Sequence, residues 1–176
     1  MLNLTTCLSL VFTSTLIVNT AAKAQICIQG DCKKGFGIQK ISSGYSIEYL
    51  VGNFNKKGKL EGDGYWLKPI YGLAINESEL ISAFSQENPA TEKLLNLNAA
   101  VIETGNYSNG MLNGPGVMIL SQLDKFPAIN YFPAINWIPE RWLGKNNIRY
   151  MKYEGLFSQS KPGEAGKITF YYPNDT

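Results

Sequence analysis

Apolar and polar positions alternate along much of the chain, and glycine interrupts the alternation at fixed intervals. Tyr153, Gly155 and Phe157 occupy every second position, so an extended strand turns all three to one face. The runs GYWL (64–67), GVMIL (116–120) and KITFYY (167–172) are rich in aromatic and β-branched residues and predict strands. Lys-Lys-Gly ending at Gly58 and Ser-Asn-Gly ending at Gly110 ask for positive φ, and so for turns. Strand, turn and strand make a hairpin in which a glycine between two aromatic positions leaves a gap that a neighbouring ring can cover. One hairpin cannot bury such a face alone, so several must pair side by side.

The pattern repeats. GNFNKKGKLEGDGYW (52–66) lines up with GNYSNGMLNGPGVM (105–118), each closing on Gly-x-x-x-Gly-x-Gly: Gly58, Gly62 and Gly64, then Gly110, Gly114 and Gly116. The earlier copy carries one extra residue before Gly58. A further copy begins at Tyr153 and offers Gly163 and Gly166 in place of the closing pair, which predicts a differently built turn. GDCKKGFG, ending on Gly35 and Gly37, is a fragment of another. The layout is a half-repeat at 27–40, repeats at 45–68, 102–120 and 150–174, and insertions at 69–101 and 121–149. The expected fold is mostly β, an antiparallel sheet of successive hairpins with a short helical insertion.

The first insertion supplies that helix. Asn76 precedes Glu77 and Glu79 and then Leu80, Ile81 and Phe84, a capped start followed by an apolar stripe. Asn88-Pro89 offers a second cap with proline at the first helical position, and Leu94, Leu97 and Val101 continue at helical spacing. One or two short helices packed on the sheet are expected, with a partner-binding helix as the alternative. The second insertion doubles a hexapeptide, Phe126 to Tyr131 and Phe132 to Trp137, and adds Pro139 and Trp142. Its three prolines exclude a regular helix or a central strand. Its aromatics either fold over the sheet or form a partner surface.

Residues 2–18 are apolar and Thr/Ser-rich, and Ala22-Lys23-Ala24 is a small-x-small site, so 1–24 reads as a cleaved secretory signal. A permanent anchor is the rival, but the run is short and dotted with polar residues. Cys7 falls within it. Cleavage removes Lys23 and leaves 15 basic against 14 acidic residues, a balance that excludes a nucleic-acid or anionic-membrane footprint. Lys33, Lys34, Lys56, Lys57 and Lys59 form local clusters that read as solvated turns. The remaining 152 residues suffice for one domain with a core.

Cys27 and Cys32 then form an even pair in an exported chain, with Gly30-Asp31 making a tight turn between them, and a disulfide is expected. Inert thiols are the alternative. Metal binding would need further soft ligands, and the chain has no histidine. That absence also removes the usual general base and triad partner. No phosphate-cradling Gly-x-x-x-x-Gly-Lys motif occurs. Glu61 and Asp63 lie in one turn and could in principle work as paired carboxylates. Sequons at Asn76, Asn106 and Asn174 are accounted for by chance.

Tyr-Glu-Gly-x-Phe at 153–157, with the Gly-x-x-x-Gly-x-Gly grid strongest at 105–116, resembles the MORN repeat. The leading CIQGDCKKGFG is similar to the disulfide-bearing start of exported bacterial MORN proteins. The resemblance covers roughly half of the chain beyond residue 24. It implies an elongated antiparallel sheet of hairpins used for protein contacts, scaffolding and sometimes membrane association, with no shared catalytic residues. The expectation is a non-catalytic binding or scaffolding module in the periplasm, at the cell surface or outside, with no cofactor and no metal. Its expected contact surface comprises Phe54, Tyr107 and Phe157 on the repeats and Phe126, Tyr131, Phe132, Trp137 and Trp142 in the loop. Association with a membrane surface through these rings is the alternative, and a hydrolase using Glu61 or Asp63 the third reading.

Overall fold

The computed structural model describes residues 23–44, 46–70, 72–85, 89–121 and 148–172. Among these residues eight strands form one sheet: β1 (Ala24–Gly30), β2 (Phe36–Ser43), β3 (Ser46–Phe54), β4 (Leu60–Pro69), β5 (Ala99–Ser108), β6 (Met111–Ser121), β7 (Tyr150–Ser158) and β8 (Lys161–Tyr171). Their order across the sheet is their order in the chain, and every neighbouring pair is antiparallel. The expected array of successive hairpins is therefore the fold. Two short helices, α1 (Glu77–Phe84) and α2 (Thr91–Leu95), sit between β4 and β5.

The register explains the glycine grid. Gly30, Gly37, Gly52, Gly64, Gly105, Gly116, Gly155 and Gly166 stand opposite one another in unbroken succession from the first strand to the last. Backbones along this row approach too closely for side chains. A methyl group on Gly105 would lie 2.8 Å from the Pro115 carbonyl oxygen and from the Leu112 side chain. Beside the row the pairing slips at the same place three times, between Gly52 and Phe54, Gly105 and Tyr107, and Gly155 and Phe157. These are β-bulges, and Gly62 (φ 75°) and Gly114 (φ 81°) lie in the first two.

What covers the row bears out the expectation only in part, since leucines share the task with rings. The bulge sets Leu60 opposite Phe54 and Leu112 opposite Tyr107. Leucines then lie on the glycines, Leu60 on Gly52 and Gly64 and Leu112 on Gly105 and Gly116, and at Gly116 the Phe157 ring of the next hairpin joins Leu112. Pro162 takes the leucine's place opposite Phe157. There a ring does the covering, Tyr153 lying over Gly155 and Gly166 with its hydroxyl donating to the Gly163 carbonyl at 2.9 Å. The last turn also departs from its expectation. Gln159 (φ 50°) and Ser160 (φ 59°) make the same two-residue left-handed turn as Asn109 (φ 53°) and Gly110 (φ 82°). The extra residue of the earlier repeat lengthens the β3–β4 turn, where the Asn55 side-chain oxygen accepts from the amides of Lys57 and Lys59.

Strand alternation sorts the core into two clusters, one on each face. Phe54, Leu60, Tyr107, Leu112, Met118, Met151 and Phe157 lie on the glycine face. Ile38, Tyr49, Val51, Leu67, Ile102 and Ile119 lie on the other, where the helices add Leu80, Ala83 and Leu94. Asn76 caps α1 as expected, its side chain accepting from the amides of Ser78 and Glu79. The second helix begins later than expected, after Ala90, with no side-chain cap. It also ends sooner. Asn98 (φ 62°) turns the chain, so Val101 joins β5 and packs on the glycine face instead of continuing a helix.

Candidate contact surface and buried polar sites

Phe54, Tyr107 and Phe157 occupy equivalent places, two residues beyond the row on β3, β5 and β7. They are 4%, 2% and 4% exposed and belong to one cluster. The contact surface expected of them is therefore not theirs to form: Leu60 and Leu112 stand against Phe54 and Tyr107, and Phe157 lies on Gly116 opposite Pro162. Phe126, Tyr131, Phe132, Trp137 and Trp142 lie outside the described residues, as does 1–22 of the expected signal. Ala24 opens β1, opposite Ser42.

The exposed apolar surface lies behind the glycine row. Leu156 is 60% exposed and stands opposite Pro115. With Val117, Ala165 and the bare backbone at Gly105, Gly116, Gly155 and Gly166 they line an open hollow of about 600 Å³. Ile26, Phe36, Leu73 and Met111 are also exposed, away from the residues that line this hollow. Leu156 is the fourth residue of YEGLF, but the alternation alone does not say which face is covered.

Cys27 and Cys32 form the expected disulfide, with Cα atoms 5.8 Å apart. Cys32 is buried in the glycine-face cluster, and its sulfur lies against Gly37 as Leu60 and Leu112 lie against later glycines. The bridge thus substitutes for a leucine in the first, incomplete repeat.

Glu61 and Asp63 are engaged as struts between hairpins. Glu61 accepts from the Asn109 amide at 3.0 Å and the Asn55 side chain at 3.3 Å, and Asp63 accepts from the Asn106 side chain at 3.4 Å. Among the described residues no three His, Cys, Asp or Glu side chains gather where a metal could bind. No helix among them is long and apolar enough to cross a membrane.

The carboxyl group that matters electrostatically is Glu103, which sequence reasoning passed over. It sits on β5 between Trp66 and Met118 on the neighbouring strands and is only 7% exposed. Burial first, and then the negative charge of Glu48, push its pKa up to about 7. Glu48 in turn accepts from the Trp66 indole at 3.2 Å. One signal was available: two residues before the row glycine the other repeats carry Leu50 and Tyr153, so a glutamate there is out of pattern.

On the other side, Lys40 reaches Glu77 at 2.6 Å and ties β2 to the start of α1, with Tyr49 donating to the same carboxylate at 3.5 Å. Compared with known proteins, the chain matches no family model, no curated protein and no solved structure.

Proposed function

We propose that this chain is an exported, non-catalytic repeat protein of the MORN type that binds a partner protein along the back of its glycine row. The observation that carries the reading is the hollow at Leu156: a large apolar side chain left in solvent beside Pro115, Ala165 and backbone with no side chains. Such a surface fits an extended apolar segment, which can approach bare backbone closely. The recurring hairpins support the repeat assignment, and a disulfide in the first of them supports an oxidising compartment. The acids once considered for hydrolysis are taken up by inter-hairpin hydrogen bonds, which favours a structural role for them.

The test is capture from the native envelope with wild type and Leu156→Glu as parallel baits. A saturable partner retained by wild type and lost with Leu156→Glu is expected. Equal retention by both baits would remove the hollow from the function. Co-flotation of wild type with neutral vesicles, lost in Leu156→Glu, would instead transfer the same surface to membrane association.

A further inference from the structure

Three lysines from two turns far apart in sequence meet at one cavity. Phe36 of β2 stands opposite Asn53 of β3, which places the β1–β2 turn beside the β3–β4 turn. The Phe54 amide donates to the Gly35 carbonyl at 2.9 Å and joins them. Between the turns lies a cavity of about 440 Å³ with Lys33 on one side and Lys56 and Lys57 on the other. The Cys27–Cys32 bridge and Gln39 also line it.

The lysines are held there by their backbones. The Asp31 side chain accepts from the amides of Lys33 and Lys34, at 2.9 and 3.1 Å. Asn55 does the same for Lys57 and Lys59. The Lys40–Glu77 and Lys152–Glu154 ion pairs involve none of the three. Asp31 is the one acid among the lining residues, so positive charge prevails. Three exposed ammonium groups around one cavity favour an anion there.

Gln39 adds a second, independent sign. It is only 6% exposed, and its Oε1 has no hydrogen-bond partner. Its row along the sheet runs on through Leu50, Trp66, Glu103 and Met118, so Gln39 and Glu103 are the two polar side chains buried in an otherwise apolar row. Turning the amide about its last torsion exchanges oxygen and nitrogen within the same volume. Oε1 is sealed from solvent as it stands, so the amide must turn for Gln39 to present its oxygen to the cavity it lines.

We propose that this cavity binds a phosphorylated polyol, with Lys33, Lys56 and Lys57 holding the phosphate and Gln39 bonded to a hydroxyl. A bare anion would satisfy the lysines and leave the amide unmet, and the volume exceeds what an ion needs. Lys33, Lys56 and Lys57, read in the sequence as parts of solvated turns, come together at this one cavity.

The experiment is calorimetric titration of the oxidised chain at low salt with glucose 6-phosphate, inorganic phosphate and glucose. Glucose 6-phosphate is expected to bind about tenfold more tightly than phosphate, and glucose not at all. The double variant Lys56→Glu, Lys57→Glu lies on an exposed turn and should melt as wild type while losing at least about tenfold in affinity. Gln39→Leu should keep phosphate binding and lose the preference for the sugar ester. Vesicles containing phosphatidylinositol 4-phosphate, run beside the soluble headgroup, separate the two sources of this chemistry. Binding of the soluble ligand supports the proposal whether or not vesicles are also captured. Equal affinity for phosphate and sugar phosphate, an undiminished double variant, or capture on vesicles with no soluble binding would overturn it.

Discussion

Glu103 fills a slot that neighbouring repeats give to Leu50 and Tyr153, and the substitution has a measurable cost. Its pKa rises from 4.5 to about 7 on folding. Between those values the folded chain keeps a proton that the unfolded chain has released, so stability falls as pH climbs from about 4.5 through 7. The full loss above pH 7 is about 3 kcal/mol by the usual conversion. Denaturant melts at pH 5 and pH 8 should show it. Glu103→Gln should flatten the difference and exceed wild type at pH 8 by roughly 1–3 kcal/mol. If the Gln variant loses stability over the same interval, the titrating group lies elsewhere. Cys32 gives a second contrast at this scale. Cys27 is exposed and Cys32 buried, so both serine variants lose the bridge, but Cys32→Ser also sinks a hydroxyl into the core. It should melt below Cys27→Ser by roughly 1–3 kcal/mol in the same denaturant assay.

The hairpin was readable because each glycine of the grid has a separate backbone duty. Gly110 belongs to the turn, Gly114 to the bulge and Gly116 to the row. Burial of the rings was not readable, because it depends on the bulge. That slip in register delivers Leu112 beside Tyr107 and onto the glycines, and the periodicity of one strand carries no trace of its partner's offset. The meeting of Lys33 with Lys56 and Lys57 was hidden for a similar reason, since it follows from the β2–β3 pairing and not from any local run. The separate duties can be tested within one ribbon. Gly114 has φ 81° and open space around it, so Gly114→Ala meets only backbone strain, about 1–2 kcal/mol. Gly105→Ala adds a collision with the Pro115 carbonyl oxygen and should cost more, about 2–4 kcal/mol, in equilibrium unfolding. Equal losses would mean that the close approach is easily relieved.

Across the whole molecule each strand's main contacts are with its neighbours in sequence. Because strands pair only with their neighbours in sequence, the sheet can open in graded steps from its ends. Hydrogen exchange should accordingly find the strongest protection in β4, β5 and β6, each paired on both sides, and the weakest in β1 and β8. Uniform protection from first strand to last would indicate all-or-none opening instead. The helices lend the middle of the sheet further support, since α2 contacts β5 and the Lys40–Glu77 pair anchors α1.

The aligned glycines also make strand number adjustable. A ribbon such as β5–β6 meets glycine on both flanks and offers glycine at its own two positions, so its borders are interchangeable with those of any other ribbon here. Copying or deleting such a unit whole preserves phase, whereas losing a single strand reverses the direction of everything after it. Length variants of this protein should therefore differ by pairs of strands, and the 121–149 segment marks one seam where such a pair can enter.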